Sequence, residues 1–389
     1  MKVGVRLTVA TVLAGSFISG MESGTVLAAE PQIVQKGVVT ELILPKQTGQ
    51  ENTIDFANAK AMPMPRSPLA PPSLQRALSE AQPLGRPGSV AGKAGNGRET
   101  PVVLVPPKAI SDRSSDTVVP EAYGTSNQPF TTSRANPTGG KVTNLAPFRA
   151  AGKLFFNIGS SPMVCSGSLI KKGLVVTAAH CVAQFGARQY HNSWLFVPGY
   201  DNGVAPFGIW AAAGAYVLTS YYAGTEACAV SGVVCPNDVA VIRLAPQAGA
   251  YPGTRTGFYG YNWNGYGFTP GNLAQITELG YPVALDGGNL MQRTDSFGIV
   301  QSSFSNNTVI GSLQTGGASG GPFLVNFGVA PALSGGATVG FEANRNTVVG
   351  VAGWSYSDAS NVKQLGASPF TSGNIVPLVT TGCAGSTAC

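Results

Sequence analysis

Residues 146–389 predict an all-β domain, and three observations carry that reading. Short apolar runs of four to eight residues, β-branched or aromatic, recur between Gly, Asn and Pro turn formers. Charged residues make up only 11% of the chain while glycine fills 51 positions, a balance that suits a loop-rich extracellular β protein better than a helical cytosolic one. All six cysteines lie in the last 225 residues, and an even count in an exported chain reads as disulfides.

The runs, in order, include Leu154–Phe156, Leu174–Val176, Trp194–Val197 and Val239–Ile242, followed by Phe297–Val300, Pro322–Val325 and Val348–Val351. About a dozen such strands with no long helical period between them indicate a barrel or a sandwich. Asn374 is placed to cap a short helix from Ile375, which Pro377 limits to about one turn. Six cysteines allow fifteen pairings. Here they fall into three local couples: Cys165 with Cys181, Cys228 with Cys235, and Cys383 with Cys389.

Upstream, the chain changes character. Lys2 and Arg6 precede an uncharged, mostly apolar stretch from Leu7 to Gly20, and Val26-Leu27-Ala28-Ala29 offers small residues for cleavage. Residues 1–29 therefore read as a signal peptide, and the stretch is too short for the ~20 residues of a spanning helix. Residues 30–145 are rich in Pro, Ser, Gly and Ala, as in Met62-Pro63-Met64-Pro65, and hold no cysteine. Such a segment buries too little apolar surface to offset its chain entropy, so it is expected to be a propeptide or a mobile region. A retained linker is the alternative. The expected destination is outside the cell or the periplasm, with no stable membrane insertion once the signal is removed.

The net charge of +6 does not imply a nucleic-acid partner. From Pro147 onward ten Lys and Arg face eight Asp and Glu with no cluster among them, so the domain carries no basic footprint. Two histidines in the whole chain and no CxxC spacing exclude a structural zinc site, and no cofactor is expected.

Three segments carry chemistry. In the first, Cys165-Ser166-Gly167-Ser168-Leu169-Ile170 and Leu174-Val175-Val176-Thr177-Ala178-Ala179-His180-Cys181 form two strands joined by a tight turn at Lys171–Gly173. A disulfide across them would hold His180 in the fixed position that a general base needs. In the second, Asn237-Asp238 precedes the apolar run Val239-Ala240-Val241-Ile242, placing a partly shielded carboxylate at a strand start, where it can orient an imidazole. The third is Thr315-Gly316-Gly317-Ala318-Ser319-Gly320-Gly321-Pro322, whose glycines let backbone amides of Gly317 and Ser319 point at a developing oxyanion.

Together these segments resemble the trypsin and chymotrypsin superfamily of serine peptidases. The resemblance rests on Thr177-Ala178-Ala179-His180-Cys181, on Asp238 ahead of its strand, and on Gly317-Ala318-Ser319-Gly320-Gly321-Pro322. It implies a chymotrypsin-like pair of six-stranded antiparallel β-barrels with a short C-terminal helix. It also implies a triad of His180, Asp238 and Ser319, and a monomer acting on protein or peptide substrates. Chain order separates it from other serine hydrolases, since an α/β-hydrolase has its histidine after the serine, and both His180 and His191 precede Ser319. A secreted esterase, or an inactive binding protein on the same fold, are the alternatives. His191 has no motif around it and is expected in a loop.

Finer similarity is to bacterial glutamyl-endopeptidase-like members, through Gly152–Phe156, Val197–Gly203, Gly280-Tyr281-Pro282 and Thr315–Gly317. It makes the strand with Gly353, Trp354 and Ser355 a substrate-binding strand and places Leu313 in the specificity pocket. Ala352 replaces the histidine typical of glutamate-selecting members, and Leu313 replaces the acid that would select Arg or Lys. Small or apolar side chains are therefore expected before the scissile bond. Ala318 replaces the acid that pairs with a freed N-terminus in trypsin-like zymogens, so a propeptide here is expected to act by blocking the cleft or assisting folding.

Overall fold

The computed structural model describes residues 30–45, 54–69, 85–108, 129–136, 140–265, 273–328, 344–356 and 363–389. The expected signal peptide lies outside the described residues.

The first barrel is built from β1 (Ala151–Ile158), β2 (Ser161–Lys171), β3 (Leu174–Thr177), β4 (Asn192–Pro198), β5 (Trp210–Leu218) and β6 (Ala240–Leu244). Antiparallel pairing runs β1–β2–β3–β6–β5–β4 and closes from β4 back to β1. Strand β3 is buried on both faces, which explains its continuous Leu-Val-Val-Thr run in place of an apolar–polar alternation.

The second barrel repeats the scheme with β7 (Leu273–Gly280), β8 (Gln292–Gln301), β9 (Asn307–Gly311), β10 (Pro322–Val325), β11 (Thr347–Tyr356) and β12 (Gln364–Pro369). Its ring is β7–β8–β9–β12–β11–β10, closed by β10 pairing with β7. Closure leaves no open strand edge inside either ring.

The C-terminal helix α1 (Ile375–Cys383) packs on β5 and β6 and is longer than the single turn expected from Pro377. The proline falls in the first turn, where its missing N–H has no intrahelical acceptor to lose. Asn374 caps it as expected, its side chain accepting from the Ile375 amide at 2.5 Å. The three cysteine couples are disulfides in the structure, with no free cysteine.

Described pieces of residues 30–145 hold places on both barrels. A hairpin of Gln32–Lys36 and Val39–Ile43 adds to β5. Lys60–Ala61 runs parallel to β2 and Arg66–Ser67 parallel to β11, while Phe130–Arg134 lies antiparallel to β8. Arg134 forms a bidentate pair with Asp286 at 2.7 and 2.9 Å. Composition points to a mobile region because these pieces have little apolar content of their own. Their backbone partners are strands far away in sequence.

Candidate active site

The histidine arrives from β3. Directly after that strand a 3-10 turn, Ala179–Cys181, lifts His180 from the barrel, and the Cys165–Cys181 disulfide ties the turn to β2. Asp238 sits just ahead of β6, downstream of the Cys228–Cys235 disulfide. Its carboxylate binds the histidine twice. Oδ2 lies 2.8 Å from His180 Nδ1, and Oδ1 accepts the His180 backbone amide at 2.8 Å. A proton held on Nδ1 by that carboxylate leaves Nε2 as the basic nitrogen.

Ser319 comes from the loop between β9 and β10. Its carbonyl accepts from the Ser166 amide at 2.7 Å, and the next residue, Gly320, donates to Ala352 O at 2.7 Å. The Ser166 hydroxyl donates to Gly317 O at 2.8 Å, while Thr177 Oγ1 donates to Ser166 O at 2.8 Å. These bonds join the serine loop to the strand that delivers His180. Gly320 has φ +79°, and a Cβ there would overlap Thr177 Oγ1 and come within 2.5 Å of Ser166 O. The loop can dock on the first barrel only because that position is glycine. Gly353 has an equivalent role on the acid's side, since a Cβ would lie 3.0 Å from Asp238 Oδ2.

His180, Asp238 and Ser319 are all buried, and Ser319 Oγ and His180 Nε2 have no hydrogen-bond partner among the described residues. A basic nitrogen and a hydroxyl, each with unused hydrogen-bonding capacity, suit proton transfer out of a nucleophile.

The sequence profile of the trypsin family matches residues 138–372, which spans both barrels and all three segments. The chain belongs to the trypsin family. It is a serine endopeptidase. Among solved structures it is similar to the protease Anisep from Arthrobacter nicotinovorans, at 25% identity and TM-score 0.47, covering 61% of this chain and 96% of that one. It is also similar to the thermostable serine protease AL20 from an extremophilic microorganism, at 21% identity and TM-score 0.45, covering 60% and 94%. A third likeness is to a Glu endopeptidase in complex with MPD, at 19% identity and TM-score 0.44, covering 66% and 97%. No curated protein matches it.

Other expected site residues are placed as follows in this trypsin-family protease. The Trp354 indole turns inward, stacked on Phe304 at 5.5 Å with Nε1 donating to Asn307 Oδ1 at 2.7 Å, so only its backbone is left for a substrate. The Ser355 amide donates to Pro65 O at 2.9 Å. Leu313 is partly exposed, with its amide 3.4 Å from Thr132 Oγ1. The Gly317 amide donates to Met62 O at 3.1 Å.

The burial of three polar residues is not announced by the sequence, although His191 does lie in a connection between strands as expected. His191, expected in a loop, is buried and stacked on Phe156, and its Nε2 meets His180 O at 3.1 Å. Burial pulls its imidazole below the ordinary histidine value. Its ring contacts the backbone of the turn that carries His180. Glu278, on β7, is fully buried beneath the serine loop and hydrogen-bonded by Gln314 Nε2. Burial holds its carboxyl well above the usual range. Lys153, on β1, reaches across to the second barrel, where Nζ donates to Gly288 O at 2.8 Å and faces the rings of Tyr200 and Tyr281. Burial pushes its ammonium down to about 7. The signal for all three was an isolated polar residue inside an apolar run or beside one, which is too weak to separate from a surface position.

Proposed function

We propose that this protease cleaves peptide bonds through an acyl-enzyme formed on Ser319, with His180 as general base and then acid, and Asp238 orienting His180. Ser319 Oγ attacks the carbonyl carbon as His180 Nε2 takes its proton. His180 returns that proton to the leaving amine, and water then repeats the cycle on the ester. The amides of Gly317 and Ser319 stabilise the oxyanion, and the backbone of Gly353–Ser355 pairs with the substrate chain. The observation that carries the reading is the twofold grip of Asp238 on His180 at 2.8 Å beside an unpartnered, buried Ser319 hydroxyl.

Export belongs to the same proposal. Three disulfides persist best in an oxidising compartment, and the N-terminal pattern of residues 1–29 fits a cleaved signal. Residues 30–145 then form a propeptide ahead of the protease domain.

A serine-directed fluorophosphonate tests the triad on the domain freed of residues 1–145. Labelling confined to Ser319, and abolished in Ser319→Ala and His180→Ala, is the expected result. An unlabelled Ser319 in folded protein refutes it.

A further inference from the structure

The segment from Lys60 to Ser67 runs from β2 to β11 and takes backbone amides that the proposed function assigns to a substrate. Lys60–Ala61 starts alongside Met163–Val164, and the Met62 amide donates to Val164 O at 2.8 Å. Met62 O then accepts the amide of Gly317, the proposed oxyanion donor, at 3.1 Å. Three residues later Pro65 O accepts the amide of Ser355 on the substrate-pairing strand at 2.9 Å, and Arg66–Ser67 continues parallel to Ser355–Tyr356. Ser319 Oγ and His180 Nε2 are both shielded from solvent.

Between the two carbonyl contacts stands Met64. Its amide lies 3.5 Å from where a Cβ on Gly316 would be, so the residue enters between the serine loop and the Ser355 strand. The side chain is buried, in one apolar cluster with Ala318, Ala352, Leu365 and Ala367. Small residues at Ala318 and Ala352 leave room for a long, unbranched group. A charged side chain entering it would lose its hydration, and the Glu278 carboxyl beside Ala318 is itself buried and already hydrogen-bonded by Gln314.

We propose that Lys60–Ser67 is a built-in occupant of the substrate cleft, and that the pocket filled by Met64 is the primary specificity pocket, selecting methionine and similar long apolar side chains. The inference rests on the serine-protease reading of the triad. Prolines at 63 and 65 suit an inhibitor. They fix φ, favour an extended chain and remove two amide donors, so the segment docks through carbonyls at little ordering cost. Tethering within the same chain raises its local concentration to the order of millimolar, so weak contacts suffice to keep the cleft filled.

The test uses the full chain and two readouts, the rate of fluorophosphonate labelling at Ser319 and the hydrolysis of peptides with Met, Leu, Glu or Lys before the scissile bond. Intact mass shows that the N-terminal region is still attached. Met64→Asp should label at least about 10-fold faster than wild type, because a carboxylate is expelled from the apolar pocket. Met64→Leu should stay within about threefold of wild type. A rate gain cannot arise from unfolding. A synthetic peptide of residues 60–67 should slow Met64→Asp back toward the wild-type rate, and the same peptide carrying Asp in place of methionine should not. Met and Leu substrates should be cut at least about 30-fold faster than Glu or Lys ones. Equal labelling of wild type and Met64→Asp, or preference for Glu or Lys, overturns this inference while the triad stands. No labelling of any form, including the domain freed of residues 1–145, overturns the triad with it.

Discussion

The two barrels hold their parts of the candidate triad in different ways. The first barrel carries His180 and Asp238 on covalently stapled loops, through Cys165–Cys181 and Cys228–Cys235, and joins the two side chains by a direct hydrogen bond. The second barrel carries Ser319 on a glycine-rich loop without a disulfide, held by backbone bonds to Ser166 and Ala352. The segment around Met62 engages that loop and leaves the His180–Asp238 pair as it is. The candidate base is thus held by a disulfide and by two hydrogen bonds to Asp238, and the surroundings of Ser319 are where an occupant can intervene. A general base tolerates little displacement, whereas an oxyanion loop built of glycine can accept a different partner for its amide.

The largest expected effect comes from breaking the rigid half. Asp238→Asn keeps the shape but replaces an acceptor with a donor, favouring the wrong histidine tautomer. It should lower kcat about 10⁴-fold with little change in melting temperature. Peptide hydrolysis beside a thermal melt checks this, and a drop under tenfold would show that Asp238 does not orient His180.

Breaking the glycine-dependent half should be felt in stability. Gly320→Ala puts a methyl group against Thr177 Oγ1 and Ser166 O at φ +79°. It should cost about 3 kcal/mol and most of the fluorophosphonate labelling, because the loop must leave its dock on the first barrel. Gly249→Ala is the control, with a similar φ of +76° and nothing within 4 Å of its Cβ, and should cost only about 1 kcal/mol. Urea unfolding of both compares them, and equal losses would remove the steric argument.

The smallest effect sharpens the contrast through pH. Glu278 lies under the serine loop with its carboxyl held well above the usual range by burial. A raised carboxyl binds more protons folded than unfolded, so its contribution is complete below the ordinary carboxylate range and is lost as pH rises. Glu278→Gln should therefore flatten the fall of stability as pH rises above the ordinary carboxylate range. Melting temperatures across that rise give the answer, and parallel curves for both proteins would contradict it.

What could be read from the chain was whatever is written locally. Thr177–Cys181, Asn237–Leu244 and Thr315–Pro322 each pair a reactive residue with the strand or turn that presents it, within eight residues or fewer. The strand runs were legible too, since burial on both faces leaves continuous apolar stretches such as Leu174–Val176. His191 was not, because it is buried by stacking on Phe156 and bonding to His180 O, contacts that no pattern around residue 191 announces. The strand partners of Met62–Pro65 are not legible for a related reason. A proline-rich stretch has no periodicity, and its order comes from the carbonyl acceptors it offers to Gly317 and Ser355.

The sequence by itself determined the family, the β character, the cysteine couples and which histidine, aspartate and serine are candidates, because each depends on residue type and short spacing. Tertiary structure decided the rest. Barrel closure brings strands more than eighty residues apart into one ring, and the docking of the two barrels sets Ser319 against the Thr177–His180 strand end. It also places Met64 between two walls drawn from Gly316 and Ser355. Those relations depend on which backbone groups of distant segments find each other, and the chain carries no local record of that choice.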